Sequence, residues 1–112
     1  MYINQLNLYY QNVRGLRTKL NDIYNNSLLH DFHMILITES WLKEYINDSE
    51  ILCDKYTVYR HDRSLTTNKK DGGGVLIGIN KLLESKRLYD WENDIDKIEL
   101  LWIELKTMYC KL

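Results

Sequence analysis

Leu6, Leu8 and Tyr10 alternate with Asn7, Tyr9 and Gln11, the period of two expected of a β-strand. Asn12 has the parity of Leu6, Leu8 and Tyr10, so an unbroken strand points it to the face those residues are expected to bury. Arg14-Gly15 turns the chain. Leu16, Leu20, Ile23 and Ser27 or Leu28 then recur at helical spacing to about Leu29. Residues 33–38, "HMILIT", form a continuous apolar run of strand length, the pattern of a strand covered on both faces, and Glu39 ends it. Residues 41–51 are expected to form a short helix or an ordered loop. "YTVYR" (56–60) reads as a strand and the polar residues 64–73 as a loop ending in a glycine turn. "GVLIGI" (74–79) is a further strand, in which Gly78 marks a bulge or a close backbone approach. The pattern over 81–89 is ambiguous, and "IELLWIEL" (98–105) is a last strand.

The order β-α-β followed by several strands places the chain in the α/β class. Two strands joined by a helical crossover run parallel and end at the same edge of the sheet. Ligands of such sheets bind beyond the carboxyl ends of the strands. Asn12 and Glu39, far apart in sequence, are therefore expected near one another at that edge.

The chain has 112 residues, the size of one small domain. Its hydrophobic fraction of 45% and charged fraction of 28% are those of a globular protein and argue against disorder. Net charge is -1, so no global basic field advertises nucleic acid. The distribution is uneven: residues 55–70 hold five Lys and Arg against Asp62, and residues 84–104 hold seven acids against three basic residues. A basic loop of this kind meets phosphate or simply faces solvent. With two cysteines and no CxxC spacing, a disulfide framework is not expected, and a reducing, intracellular compartment is. No apolar run approaches the roughly 18 residues of a membrane helix. Proline is absent, either by chance or because loops that carry it in a whole domain lie outside this chain.

A partly buried Glu needs compensation of its charge, and a metal ion supplies it. Mg²⁺ takes oxygen ligands, often one or two carboxylates with several waters kept. Asn12 offers an acceptor and two donors, suited to orienting a carboxylate or a phosphate oxygen. Glu39 and Asn12 thus begin a Mg²⁺ site for phosphoryl chemistry but do not complete one, for no general base accompanies them. Spacing alone favours a simpler reading, in which Glu39 caps a helix at Ser40-Trp41 and Asn12 sits in a turn. "DGGGV" precedes a strand and is a turn, not a nucleotide fingerprint. His30, His33, His61 and Cys53 have the spacing of no zinc module.

Four stretches in order, "LNLYYQNVRGLRTKL", "FHMILITESWL", "YRHDR" and "DGGGVLIGI", resemble the first half of an endonuclease/exonuclease/phosphatase domain. The likeness is nearest to the apurinic-type endonuclease of non-LTR retrotransposons, and "IELLWIEL" resembles the strand that follows there. It implies the N-terminal half of a four-layer α/β sandwich over residues 1–112, and a Mg²⁺-dependent (or Mn²⁺-dependent) phosphodiesterase acting on DNA. By that likeness Glu39 is the metal-ligand glutamate and Asn12 lines the same site, while Arg60, Arg63, Lys69 and Lys70 are candidates for flanking a DNA groove. In such elements a nick in target DNA primes a reverse transcriptase carried downstream on the same protein, which implies a nuclear location. The family's later Tyr, Asp-x-Asn and Asp-His segments, with its general base, do not occur in the 112 residues. The chain is therefore expected to be an N-terminal fragment, marginally folded and inactive alone. A small non-catalytic α/β binding module is the alternative. A reading frame continuing into those segments separates the first from the second.

Overall fold

The computed structural model describes residues 5–43, 45–62, 73–92 and 100–106. Four strands form the main sheet: β1 (Leu8–Asn12), β2 (Met34–Thr38), β3 (Tyr56–His61) and β4 (Val75–Asn80), in the order β1-β2-β4-β3. β1 and β2 are parallel, as the crossover predicts, and β4 is antiparallel to both β2 and β3. The crossover is a 3₁₀ turn (Arg17–Lys19) leading into α1 (Leu20–Leu29). A short α2 (Asp48–Ile51) precedes β3. β5 (Glu84–Arg87) and β6 (Ile103–Lys106) make a separate antiparallel ribbon, with a 3₁₀ turn (Tyr89–Trp91) between them. The ambiguous 81–89 stretch thus holds a four-residue strand between a turn and the second 3₁₀ turn. The last strand begins at Ile103, later than its apolar run suggests, and 93–99 lie outside the described residues. No helix among the described residues is long and apolar enough to cross a membrane.

The main core lies on one face of the sheet. Ile35, Ile37 and Leu76 from the strands meet Leu16 and Ile23 from the crossover and Ile51 and Leu52 from the α2 segment. Ser27, not Leu28, completes the inward stripe of α1: Leu28 is 50% exposed, whereas Ser27 is buried. Its hydroxyl donates to Tyr24 O and accepts from Cys53 N, which removes the penalty of burying it. Gly78 has no bulge around it, since the register runs unbroken on both sides. A close approach explains it instead, for a Cβ there would collide with Leu52 Cδ1.

The face assignment of β1 is corrected by the structure. Leu6, Leu8 and Tyr10 are 44%, 52% and 57% exposed, and Asn12 is exposed with them. The buried side carries Tyr9, which packs on the core, and Val13. Alternation groups residues by face but does not say which face is covered. β2 is likewise fully buried on one face only: Ile35 and Ile37 are inside, and Met34, Leu36 and Thr38 are half-buried. Register places Leu8, Met34, Ile79 and Thr57 in one row of this second face, and Tyr10, Leu36, Ile77 and Tyr59 in the next. The β5–β6 ribbon is tied to it on the β3 side, through Tyr59 Oη to Ser85 Oγ (2.8 Å) and His61 Nδ1 to Leu100 O (3.0 Å). Cover therefore falls off toward β1.

The ribbon is closed by an ion pair. Glu92 accepts from Arg87 Nε and Nη2 (2.8–3.2 Å) and from Trp102 N (3.3 Å), with the two side chains 10% and 16% exposed. The Arg87 hydrogen bonds, helped by the Trp102 amide, hold the Glu92 carboxyl below its ordinary pKa against the opposing effect of burial. A depressed folded pKa contributes stability that is fully present above the unfolded carboxylate value of about 4.3 and is lost as pH falls through the folded one. Acid titration followed by tryptophan fluorescence is expected to report loosening around Trp91 and Trp102 below that value. Glu92→Gln should weaken the ribbon at neutral pH and remove this part of the acid dependence; an unchanged profile would count against the pair as the closing contact.

Candidate functional site

The parallel β1–β2 pair ends at one edge, where Asn12 is the register partner of Thr38 and Glu39 follows directly. Backbone hydrogen bonds continue the ladder beyond the strands: Val13 N to Thr38 O (3.1 Å), Gly15 N to Glu39 O (2.8 Å) and Leu16 N to Ser40 O (2.8 Å). A third segment joins from the start of β4, through Ser40 N to Gly74 O (3.2 Å) and Trp41 N to Gly73 O (2.9 Å). Asn12 and Glu39 are thus held on adjacent rungs by backbone alone. Asn12 is exposed and Glu39 half-buried.

All positive-φ residues among the described residues lie at this edge. Arg14 (48°), Glu39 (52°) and Trp41 (54°) are left-handed without being glycine, and Gly15 (101°), Gly73 (66°) and Gly74 (90°) accompany them. Non-glycine residues adopt that region rarely and at a cost, and such outliers cluster at binding and catalytic sites. The simpler reading of Glu39 as a helix cap fails, because residues 40–43 form no helix. The strand run ends at Thr38 and the left-handed turn at Glu39 redirects the chain, so Glu39 is not held to the face that strand alternation would give it.

Beside the pair lies an open cleft of about 400 Å³ lined by Arg14, Gly15, Arg17, Thr18 and Trp41. The Trp41 ring lies against Gly15, and both Trp41 Nε1 and Ser40 Oγ are buried without a hydrogen-bond partner among the described residues. Lys19 turns inward and donates to Val13 O. Arg14, Arg17 and Trp41 were not singled out by sequence. Their signal is adjacency to Asn12 and Glu39 within "NVRGLR" and "ESWL". A larger cleft of about 560 Å³, lined by Asp31, His33, Asp54, Lys55, Asn80, Lys81 and Leu82, opens at the start of β2 and the end of β4, away from this edge.

The structure does not bring Arg60 to Asn12 and Glu39 as a free cation. Arg60 is 14% exposed at its side chain and engaged by Asp62, Asp48 and the Ile46 and Lys43 carbonyls. Arg63, Lys69 and Lys70 lie outside the described residues. Among the described residues no three of His, Cys, Asp and Glu are grouped so as to hold a metal ion. Among the described residues, the carboxylate this edge offers to a cation is that of Glu39. Among the described residues the edge offers one carboxylate, one amide and two flanking guanidinium groups. Compared with family models, with curated proteins and with solved structures, the chain matches none.

Proposed function

We propose that this chain carries the opening part of a Mg²⁺-dependent DNA endonuclease site, of the apurinic type found in non-LTR retrotransposons, and is inactive by itself. The observation that supports the reading most is the convergence of Asn12, Glu39 and every left-handed residue of the described chain on one sheet edge. In this reading Glu39 holds the cation and Asn12 orients a phosphate oxygen. Arg14 and Arg17, lining the adjacent cleft, neutralise the phosphates on either side of the scissile one. When bound, the cation stabilises charge developing on phosphorus-bound oxygen. The open half of the second sheet face is, in the same reading, where the remaining layers of a four-layer sandwich pack. The nick serves as primer for a reverse transcriptase of the parent protein.

Inactivity follows because the pair brings no general base with it, and base catalysis contributes about 10²–10⁴-fold to such reactions. Two measurements test the reading separately. Mn²⁺, used as a paramagnetic stand-in, is expected to broaden the amide resonances of residues 12–15 and 38–41 first, and Glu39→Ala to abolish that selectivity. Supercoiled plasmid incubated with the chain and Mg²⁺ is expected to stay intact. Broadening elsewhere, insensitive to Glu39→Ala, would sink the metal site, whereas nicking above the Glu39→Ala control would sink the claim of inactivity.

A further inference from the structure

We infer that the outer edge of β1, which pairs with no strand among the described residues, pairs with the same edge of a second copy of this chain, antiparallel and two-fold symmetric about Tyr10. β1 is an outer strand of the main sheet. Asn7 O accepts from Met34 N (3.2 Å) and Val13 N donates to Thr38 O (3.1 Å), so the odd-numbered residues turn their backbone groups toward β2. By the period of two, Leu8, Tyr10 and Asn12 turn theirs outward. In an antiparallel pairing centred on Tyr10, Leu8 faces the other copy's Asn12, and Tyr10 faces its own equivalent. All three positions then fall on hydrogen-bonded pairs, in which both residues exchange N–H and C=O. No shift of register is needed, and the two-fold axis closes the assembly at two chains.

The edge also lacks what normally blocks such pairing. Natural edge strands are blunted by charges, proline or bulges. Residues 1–13 contain no charged residue and no proline, and the β1–β2 register is unbroken. A second copy thus meets no like charge, which is the electrostatic condition for self-pairing. Leu8 and Tyr10 are 52% and 57% exposed, and directly opposed residues share a face, so pairing joins the open apolar halves of two sheets into one strip. The Tyr10 hydroxyl reaches Thr38 Oγ1 on β2 (3.1 Å), which inclines the ring across the sheet and leaves the edge clear. The contact is short and belongs to the weak class below about 1,200 Å² of buried area. This inference does not rest on the proposed function.

Sedimentation velocity of the full chain over roughly 10–300 µM, the range where a weak dimer is read, is expected to show monomer converting to dimer. Tyr10→Lys, which sets two ammonium groups across the axis, should remain monomeric with an unchanged circular-dichroism spectrum. In a Cys110→Ser background, Tyr10→Cys should oxidise to a covalent dimer about tenfold faster than Gln11→Cys, because Cα atoms about 5.5 Å apart suit a disulfide. The proposal is overturned by a monomer at every concentration, by assemblies larger than two, by dimers indifferent to Tyr10→Lys, or by equal crosslinking of the two cysteine variants.

Discussion

Replacing Gly15 with alanine is expected to destabilise the fold by about 2–6 kcal/mol, from backbone strain of about 1–3 kcal/mol and overpacking of about 1–3 kcal/mol. The φ of +101° lies beyond the left-handed well that side chains tolerate. An ideal Cβ would stand 2.7 Å from Trp41 Cε3 and 3.2 Å from Cζ3. Neither relief is simple, because Gly15 N is bonded to Glu39 O and Trp41 N to Gly73 O. Urea denaturation gives the magnitude. Pairing the change with Trp41→Leu separates the causes, since the smaller side chain relieves the collision and leaves the φ cost in place. The same substitution is expected to weaken Mn²⁺ broadening near Glu39, because it pulls at the bond that sets that turn. A loss under about 1 kcal/mol would mean that the edge relaxes freely and stores no strain worth the name.

Arg60→Ala is expected to cost a comparable amount, about 2–4 kcal/mol, toward the lower end of what breaking a buried ion pair costs because Asp48 is half exposed. Its guanidinium spends every donor: Nε and Nη2 on Asp62 (2.6–3.1 Å), Nη1 on Asp48 (3.1 Å) and Ile46 O (2.5 Å), and Nη2 again on Lys43 O (2.9 Å). Burial opposes its charge, but the Asp62 and Asp48 bonds more than offset this and raise its pKa further. Removing it leaves Asp62, 18% exposed, without its cation and takes a donor from the Ile46 carbonyl, while the Lys43 carbonyl keeps the Ile46 amide. Arg60→Lys is not expected to rescue, since one ammonium cannot span partners arranged for a planar fork. Hydrogen exchange should localise the damage. α2 has four residues, too few to persist alone, and is held by Ile51 in the core, its Asn47–Glu50 capping box and the Arg60 grip on the preceding loop. Fast exchange confined to residues 45–52 supports the clamp; uniform loss across the sheet would point to a general core defect instead.

The elements with a clean period were legible from sequence: β1, α1, β2 and β4 stand where alternation and helical spacing put them, and the parallel crossover brought Asn12 and Glu39 to one edge. What failed did so for identifiable reasons. Tyr9 and Tyr10 are chemically alike, so nothing in the strand says which of them faces the core, and the face of Asn12 was inverted. Arg60 sits in a basic run counted against Asp62 alone, but Asp48 and the Ile46 and Lys43 carbonyls reach it from more than ten residues upstream, which charge counting does not see. The turn at Arg14 was announced by Gly15 beside it, but the left-handed turns at Glu39 and Trp41 leave no trace in residue types that ordinarily avoid them. Glycines announce such turns, as at Gly73 and Gly74; non-glycine residues conceal them.

The strand order carries a consequence for how the chain comes into being. β4 lies between β2 and β3 although it is made after both. On the ribosome, β1, α1 and β2 can assemble as soon as they emerge. β3 must wait, with its neighbour not yet synthesised and no place of its own against β2. The sheet closes only after residue 80 has left the exit tunnel, and until then one edge of β2 stays open to any other nascent strand. Arresting translation before and after that point, and assaying protease resistance of β3, should show protection arriving in a single late step.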